Sequence, residues 1–244
     1  MRRNKIFFLI KWYNYPKEII SAMEADHKVF SQRKITKNYR SVTGSFPSVK
    51  NKSSIAFESL LERSLFLTLE FDNSVETYIE QPQLKIDYDG SIRTYSADCL
   101  IKYCKDTLKK ETIVEVKYLT EINKDKEKFE QKFKSIQASV EYMGMEFILY
   151  TDETFPKSYI ENLDFLYRYK TQSLDTRNDE KILDFAKEPM TAFQLANLIA
   201  QSKMEYLQVA NAIWSLVSNG KLCTDFYQDE LTMNSLVWIN HERY

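Results

Sequence analysis

The stretch Tyr95–Tyr118, YSADCLIKYCKDTLKKETIVEVKY, constrains this chain more than any other. It reads as two β-strands, about 95–104 and 112–118, joined by a polar, lysine-rich turn at 105–111. Ile101, Tyr103, Ile113, Val114 and Val116 supply the β-branched and aromatic content of strands. Folding the hairpin about 107–108 sets Asp98 opposite Lys117 or Tyr118, depending on the register. Side chains alternate along a strand, so Glu115 and Lys117 point the same way. With Asp98 opposite Lys117, two carboxylates and an ammonium converge on one patch, and a one-residue slip would undo it.

The elements around this hairpin follow from their own patterns. Residues 55–71, IAFESLLERSLFLTLEF, read as a helix capped by Ser53 or Ser54, with Leu61, Leu65 and Leu69 on its apolar face. Glu58 and Glu62 stand one turn apart on it, and Glu62 lies at the edge of the apolar face, where a carboxylate needs a partner. A surface pair with Arg63 is the alternative. Strands are expected at 75–79, 84–88 and from about 92 into the hairpin, with Gln81-Pro82 and Asp89-Gly90 as turns. A charged helix over 123–143, a buried strand over 145–151 and a helix over 158–169 complete a mixed α/β domain ending near 170. Upstream, a short helix is expected around 15–25, and Lys34–Ser54 reads as loop or extended arm.

The domain plan is a basic arm at 1–52, part of or packed on the domain that follows at 53–170, then a polar linker at 171–180 and a small domain at 181–244. In that last unit Thr191 and Gln194 form a capping box that opens one helix, and 205–218 is a second helix, stopped by Asn219-Gly220. Residues 221–228 and 236–240 read as wing strands, which together suggest a winged-helix module.

Charge is unevenly spread: +9 over 1–52, −6 over 53–170 and −4 over 171–244. Lys34, Lys37, Arg40, Lys50 and Lys52, interspersed with Tyr39 and Phe46, are candidate phosphate contacts; a solvated basic extension is the alternative. The acidic C-terminal unit is expected to contact protein at least as much as DNA. Three cysteines without CxxC spacing argue against structural zinc and for a reduced intracellular protein. Two histidines near the two ends argue against a histidine triad, and no phosphate-cradling glycine loop is present. No apolar run reaches the ~18 residues of a membrane span, and the short FFLI stretch is not read as a signal peptide.

Glu62, Asp98, Glu115 and Lys117 together form a candidate catalytic set. Carboxylates are hard ligands suited to Mg²⁺, which polarises a phosphodiester and helps lower the pKa of a bound water. Lys117 would orient or help deprotonate that water, or neutralise charge on the pentavalent phosphate. The chemistry is phosphodiester hydrolysis. The rival reading is a cross-strand salt bridge from Asp98 to Lys117 on a solvated sheet face.

The segments SLLERSLFLTLEFDNSVETYIEQP, YSADCLI, VEVK, FILYTDE and ENLDFLYRYK, in this order, resemble the TnsA family of transposon-end endonucleases. The resemblance covers about residues 30–170 and, more loosely, the C-terminal unit. It implies a restriction-endonuclease-like fold of the PD-(D/E)xK type. It gives Glu62 the place of the helix acid, Asp98 that of the metal-ligand aspartate, Glu115 the acidic or amide position, and Lys117 that of the catalytic lysine, with Glu62, Asp98 and Glu115 as the expected metal ligands. It further implies a Mg²⁺-dependent enzyme, with Mn²⁺ able to substitute, that cuts the 5′ strand ends of a mobile element. The implied partners are duplex DNA at the transposon ends, a TnsB-like transposase subunit and a TnsC-like AAA+ regulator, the last through the C-terminal domain. A cytoplasmic, nucleoid-associated protein with little activity alone is expected. Ala97 stands where proline is common, and Cys99 where an aromatic is frequent. A stand-alone restriction or repair nuclease and a non-catalytic winged-helix assembly protein are the alternatives, and Glu58 rivals Glu62.

Overall fold

A computed structural model describes residues 42–88, 90–171 and 176–241. The expected helix around 15–25, and the candidate DNA contacts Lys34, Lys37 and Arg40, lie outside the described residues.

Among the described residues the first element is a hairpin, where loop and helix were expected. Strands β1 (Gly44–Ser48) and β2 (Ser53–Phe57) pair antiparallel, with Phe46 opposite Ile55. Pro47 is tolerated because β1 pairs on one side only and needs no further donor. Lys52, at φ 53°, makes the turn. The hairpin therefore spans the boundary expected at 52/53, and the helix expected from 55 starts later. Helix α1 (Leu60–Phe71) is capped by Ser59, not Ser53 or Ser54. Ile55 and Phe57 are buried strand residues, packed with Phe46, Leu61, Leu65 and Phe66 in one core.

Strands β3 (Val75–Glu80), β6 (Cys99–Tyr103), β7 (Thr112–Val116) and β8 (Glu146–Tyr150) form one mixed sheet in that order. The first two junctions are antiparallel and the β7–β8 junction is parallel. Strands β4 (Gln83–Tyr88) and β5 (Ser91–Ser96) make a separate hairpin that turns through Gly90 at φ 74°. The strand expected to run unbroken from about 92 to 104 is thus interrupted at Ala97 and Asp98, where the chain leaves the small hairpin and enters the main sheet.

Helices cover both faces of the sheet. Helix α1 and helix α4 (Lys157–Thr171) pack on the side of Cys99, Ile101, Val114 and Val116. Helix α3 (Lys126–Tyr142) packs with β4 on the side of Leu100 and Ile113. The short helix α2 (Leu119–Lys124) precedes α3, and Asp125, at φ −145°, breaks what was expected as one helix from 123. A mixed sheet between helices is consistent with a restriction-endonuclease-like domain.

Helix α4 serves two cores. Leu163 and Tyr167 face the sheet, whereas Leu166 joins a second cluster with Leu195, Val209 and Ile213. That cluster is built by α5 (Asp179–Phe185), β9 (Met190–Thr191), α6 (Ala192–Ile199), α7 (Lys203–Ser218), β10 (Leu222–Cys223) and β11 (Leu236–Ile239). The three short strands form an antiparallel sheet in the order β10-β11-β9. The capping box at Thr191 and Gln194 is formed as expected. Buried Asn162 on α4 ties the two cores together: its amide donates to the carbonyls of Phe226 (3.0 Å) and Asp229 (2.8 Å) and accepts from the Leu231 N–H (2.9 Å). Among the described residues no helix is long and apolar enough to cross a membrane.

Candidate active site

Asp98 occupies the break between β5 and β6, and three hydrogen bonds hold it there. Its N–H donates to the Val114 carbonyl (3.2 Å), its carbonyl accepts from the Gln81 N–H (3.1 Å), and its Oδ2 accepts from the Val116 N–H (2.7 Å). Gln81, buried and in the left-handed region at φ 49°, is bent so that its N–H meets Asp98. The carboxylate therefore takes a donor on β7 that a further strand residue could not, and this is why the strand ends here.

The register lies two residues from the Lys117 alternative and three from the Tyr118 alternative. Cys99 pairs with Val114 and Ile101 with Thr112, so continuing the ladder sets Asp98 across from Glu115 instead of Lys117 or Tyr118. An even shift preserves the facing of every side chain. Glu115 and Lys117 follow Ile113 at alternate positions and so share its face. Asp98 sits in the break, where Ala97 and Leu100 fall in one core cluster and simple alternation does not carry through. Lys117 lies just past β7, its N–H bonded to the Tyr150 carbonyl (3.0 Å). Its partly exposed ammonium is 4.0 Å from Glu121, a loose pair on the solvent side.

Glu62 is buried in the first turn of α1. Its Oε2 accepts from the Glu58 N–H (2.9 Å) and its Oε1 from the Ser59 hydroxyl (3.0 Å), while Ser59 Oγ accepts from the Glu62 N–H (3.1 Å). Burial pushes the Glu62 carboxyl above the usual carboxylate range, and the charges of Asp98 and Glu58 add to this; the Glu58 N–H and Ser59 hydroxyl oppose it. Burial likewise pushes Asp98 up, helped by Glu58 and opposed by the Val116 N–H, Lys117 and Lys132. Glu58 precedes the helix, so it does not sit one helical turn from Glu62 as the sequence suggested, yet its charge reaches both acids.

Glu115, almost fully buried on β7, has both oxygens engaged. Oε1 accepts from the Lys132 ammonium of α3 (2.8 Å), and Oε2 accepts from the Tyr95 hydroxyl of β5. Sequence reasoning missed Lys132 and Tyr95. The signal for Lys132 was present: it falls three residues after Phe129 and four before Ile136, on the apolar stripe of its helix.

These positions bear on the expected metal. Glu62 and Asp98 fit a hard divalent cation by donor type, both being carboxylates, one buried and the other largely so. The Asp98 charge adds to the upward push on Glu62, while Lys117 and Lys132 offset part of the charge on Asp98 itself. Glu115 as placed offers no uncommitted oxygen. Among the described residues no three His, Cys, Asp or Glu side chains form a group that could hold a metal ion. Of the candidate DNA contacts that are described, Lys50 spends its ammonium on the carbonyls of Asp72 (2.6 Å) and Val75 (2.5 Å), whereas Lys52 is exposed on the β1–β2 turn.

Residues 72–152 match the family described as TnsA-like endonuclease N terminal. The match takes in β3 through β8 and thus Asp98, Glu115 and Lys117; Glu62 and everything after 152 lie outside it. The resemblance read from the sequence holds over these residues. No curated protein matches the chain.

Proposed function

From the premise that the segment carrying Asp98, Glu115 and Lys117 is that of a TnsA-like nuclease, we propose that this chain is a Mg²⁺-dependent DNA endonuclease. It cuts the 5′ strand ends of a mobile element as one subunit of a heteromeric cut-and-paste transposase. The observation that carries this reading is the placement of Asp98: three hydrogen bonds fix it at a strand break, where the Lys117 charge acts on it and its own charge acts on Glu62.

Glu62 and Asp98 are the residues that would hold the cation, with Glu115 joining once its present partners release it. When bound, Mg²⁺ supplies polarisation of a phosphate oxygen and a lower pKa for a coordinated water. Lys117 brings its ammonium to the open side of the site. There it orients the attacking water and offsets the charge that develops on the phosphate. The hydrogen bonds from Ser59 and from the Glu58 and Val116 N–H groups keep both carboxylates oriented before DNA arrives.

The order helix, strand, helix, helix, strand, strand in α5–β11 supports a winged-helix reading of the C-terminal unit. With −4 net charge beyond residue 170, it is better suited to a protein partner than to a phosphate backbone, and we assign it to docking the AAA+ regulator. The transposase subunit and duplex DNA at the element's ends are the remaining partners, in a cytoplasmic, nucleoid-associated setting.

The test is reconstitution of the full chain with its transposase on end-bearing duplex DNA, with cleaved strands mapped on a denaturing gel. The 5′ strand should be cut in Mg²⁺ or Mn²⁺ and not in EDTA. Asp98→Asn should lower the rate about a hundredfold or more, the scale of losing one group that stabilises the transition state. Undiminished 5′ cutting by a folded Asp98→Asn protein would refute the proposal.

A further inference from the structure

The nuclease reading leaves one contact without a role: the clamp on Glu115. Three elements meet there. Lys132 of α3 donates to Oε1 at 2.8 Å, Tyr95 of β5 donates to Oε2, and the Lys132 ammonium lies 5.1 Å from the centre of the Tyr95 ring. The carboxylate is nearly closed to solvent, with 4% of its side chain accessible against 31% for Lys132. The lysine is therefore the solvent-facing half of the pair, with room to turn outward that the buried Glu115 lacks. Its charge also acts on Asp98, alongside that of Lys117. One ammonium thus serves two carboxylates, which is the electrostatic duty of a divalent cation.

We infer that Lys132, steadied by Tyr95, is a positioning residue that holds Glu115 as a built-in counter-cation. A metal ion gains Glu115 as a ligand only by displacing it. This rests on the nuclease reading and extends it. A buried carboxylate left without a partner is costly, so the protein without metal needs Lys132. With metal present the same ammonium competes for one of the ligands. Lys132 therefore sets the cation concentration at which the site fills.

The experiment uses the full chain without DNA. Mn²⁺ binding is measured by titration calorimetry, and the rise in melting temperature caused by Mn²⁺ is recorded in parallel. Lys132→Met should lower the melting temperature in the absence of metal. It should also tighten Mn²⁺ binding by about tenfold, and so enlarge the Mn²⁺-induced rise. Tyr95→Phe, which removes one donor and keeps the lysine, should shift both readings the same way by less. Lys132→Arg should stay closest to the parent. Lys128→Met, an exposed position on the same helix, should change neither reading. A purely structural lysine predicts the reverse for Lys132→Met: lower stability with equal or weaker Mn²⁺ binding, which overturns the inference. If Lys132→Met does not fold, Tyr95→Phe decides alone, and unchanged Mn²⁺ affinity there overturns it as well. Failure of the underlying reading looks different, because in that case Asp98→Asn binds Mn²⁺ and cuts DNA as the parent does.

Discussion

Replacing Ser59 with alanine tests whether the start of α1 holds Glu62 in place. Two bonds are lost: the N-cap bond from the Glu62 N–H (3.1 Å) and the bond from the Ser59 hydroxyl to Glu62 Oε1 (3.0 Å). An N-cap serine is worth about 1 kcal/mol. A hydrogen bond to a charged group contributes about 1.5 kcal/mol or more, reduced to about 1 here because Glu62 keeps the Glu58 N–H. The expected loss is about 2 kcal/mol, which for an m-value of about 2–3 kcal/mol/M lowers the urea midpoint by about 0.7–1 M. Ser59→Thr, which retains a capping hydroxyl, should recover most of it. In the reconstituted complex Ser59→Ala should also slow 5′ cutting by about tenfold, because Glu62 is no longer fixed for catalysis. A midpoint shift below about 0.2 M with full cutting would show that Ser59 neither caps this helix nor orients its acid.

Two further outcomes follow from the geometry. Lys50→Met should destabilise the fold by about 1–2 kcal/mol, because the carbonyls of Asp72 and Val75 lose their shared donor. The slope of DNA affinity against salt should stay unchanged, whereas Lys52→Met should flatten that slope by about one unit without loss of stability. Asp98→Asn should make the metal-free protein more stable at neutral pH. The folded state holds the Asp98 carboxyl above its usual range, so the folded state binds more protons in the intervening window and stability falls as pH rises through it. The gain should vanish below the ordinary aspartate pKa of about 3.9, where Asp98 is protonated in both states, and urea midpoints across pH measure it.

Much of this site was legible in the sequence because strand periodicity survives an error of two. The hairpin was expected with Asp98 opposite Lys117 or Tyr118, and the structure instead aligns Asp98 with Glu115, two residues from the first alternative. A shift of two leaves Glu115 and Lys117 on one face, so this part of the grouping did not depend on the exact turn. Other features were hidden by competing signals. The apolar run IAF continues into Leu60 and Leu61 and reads as helix, yet Ser59 followed by Glu62 already carried the capping pattern that marks the true start. Pro47 and the polar residues around it read as loop, and the partner strand that makes β1 is visible only in three dimensions. The break at Asp98 was invisible because the residues on either side of it read in the sequence as one continuous strand. Lys132 was lost among the solvated lysines of its helix, although its spacing from Phe129 and Ile136 placed it on the packed side.

The most direct measurement is an anomalous difference map from crystals of the full chain soaked in Mn²⁺. Glu62 and Asp98 acting as one metal-binding pair predicts a peak in contact with both carboxylates, with Lys117 beside it. A protein that cuts DNA but shows no Mn²⁺ at that pair, or shows it only at some other cluster, would contradict the assignment at its base.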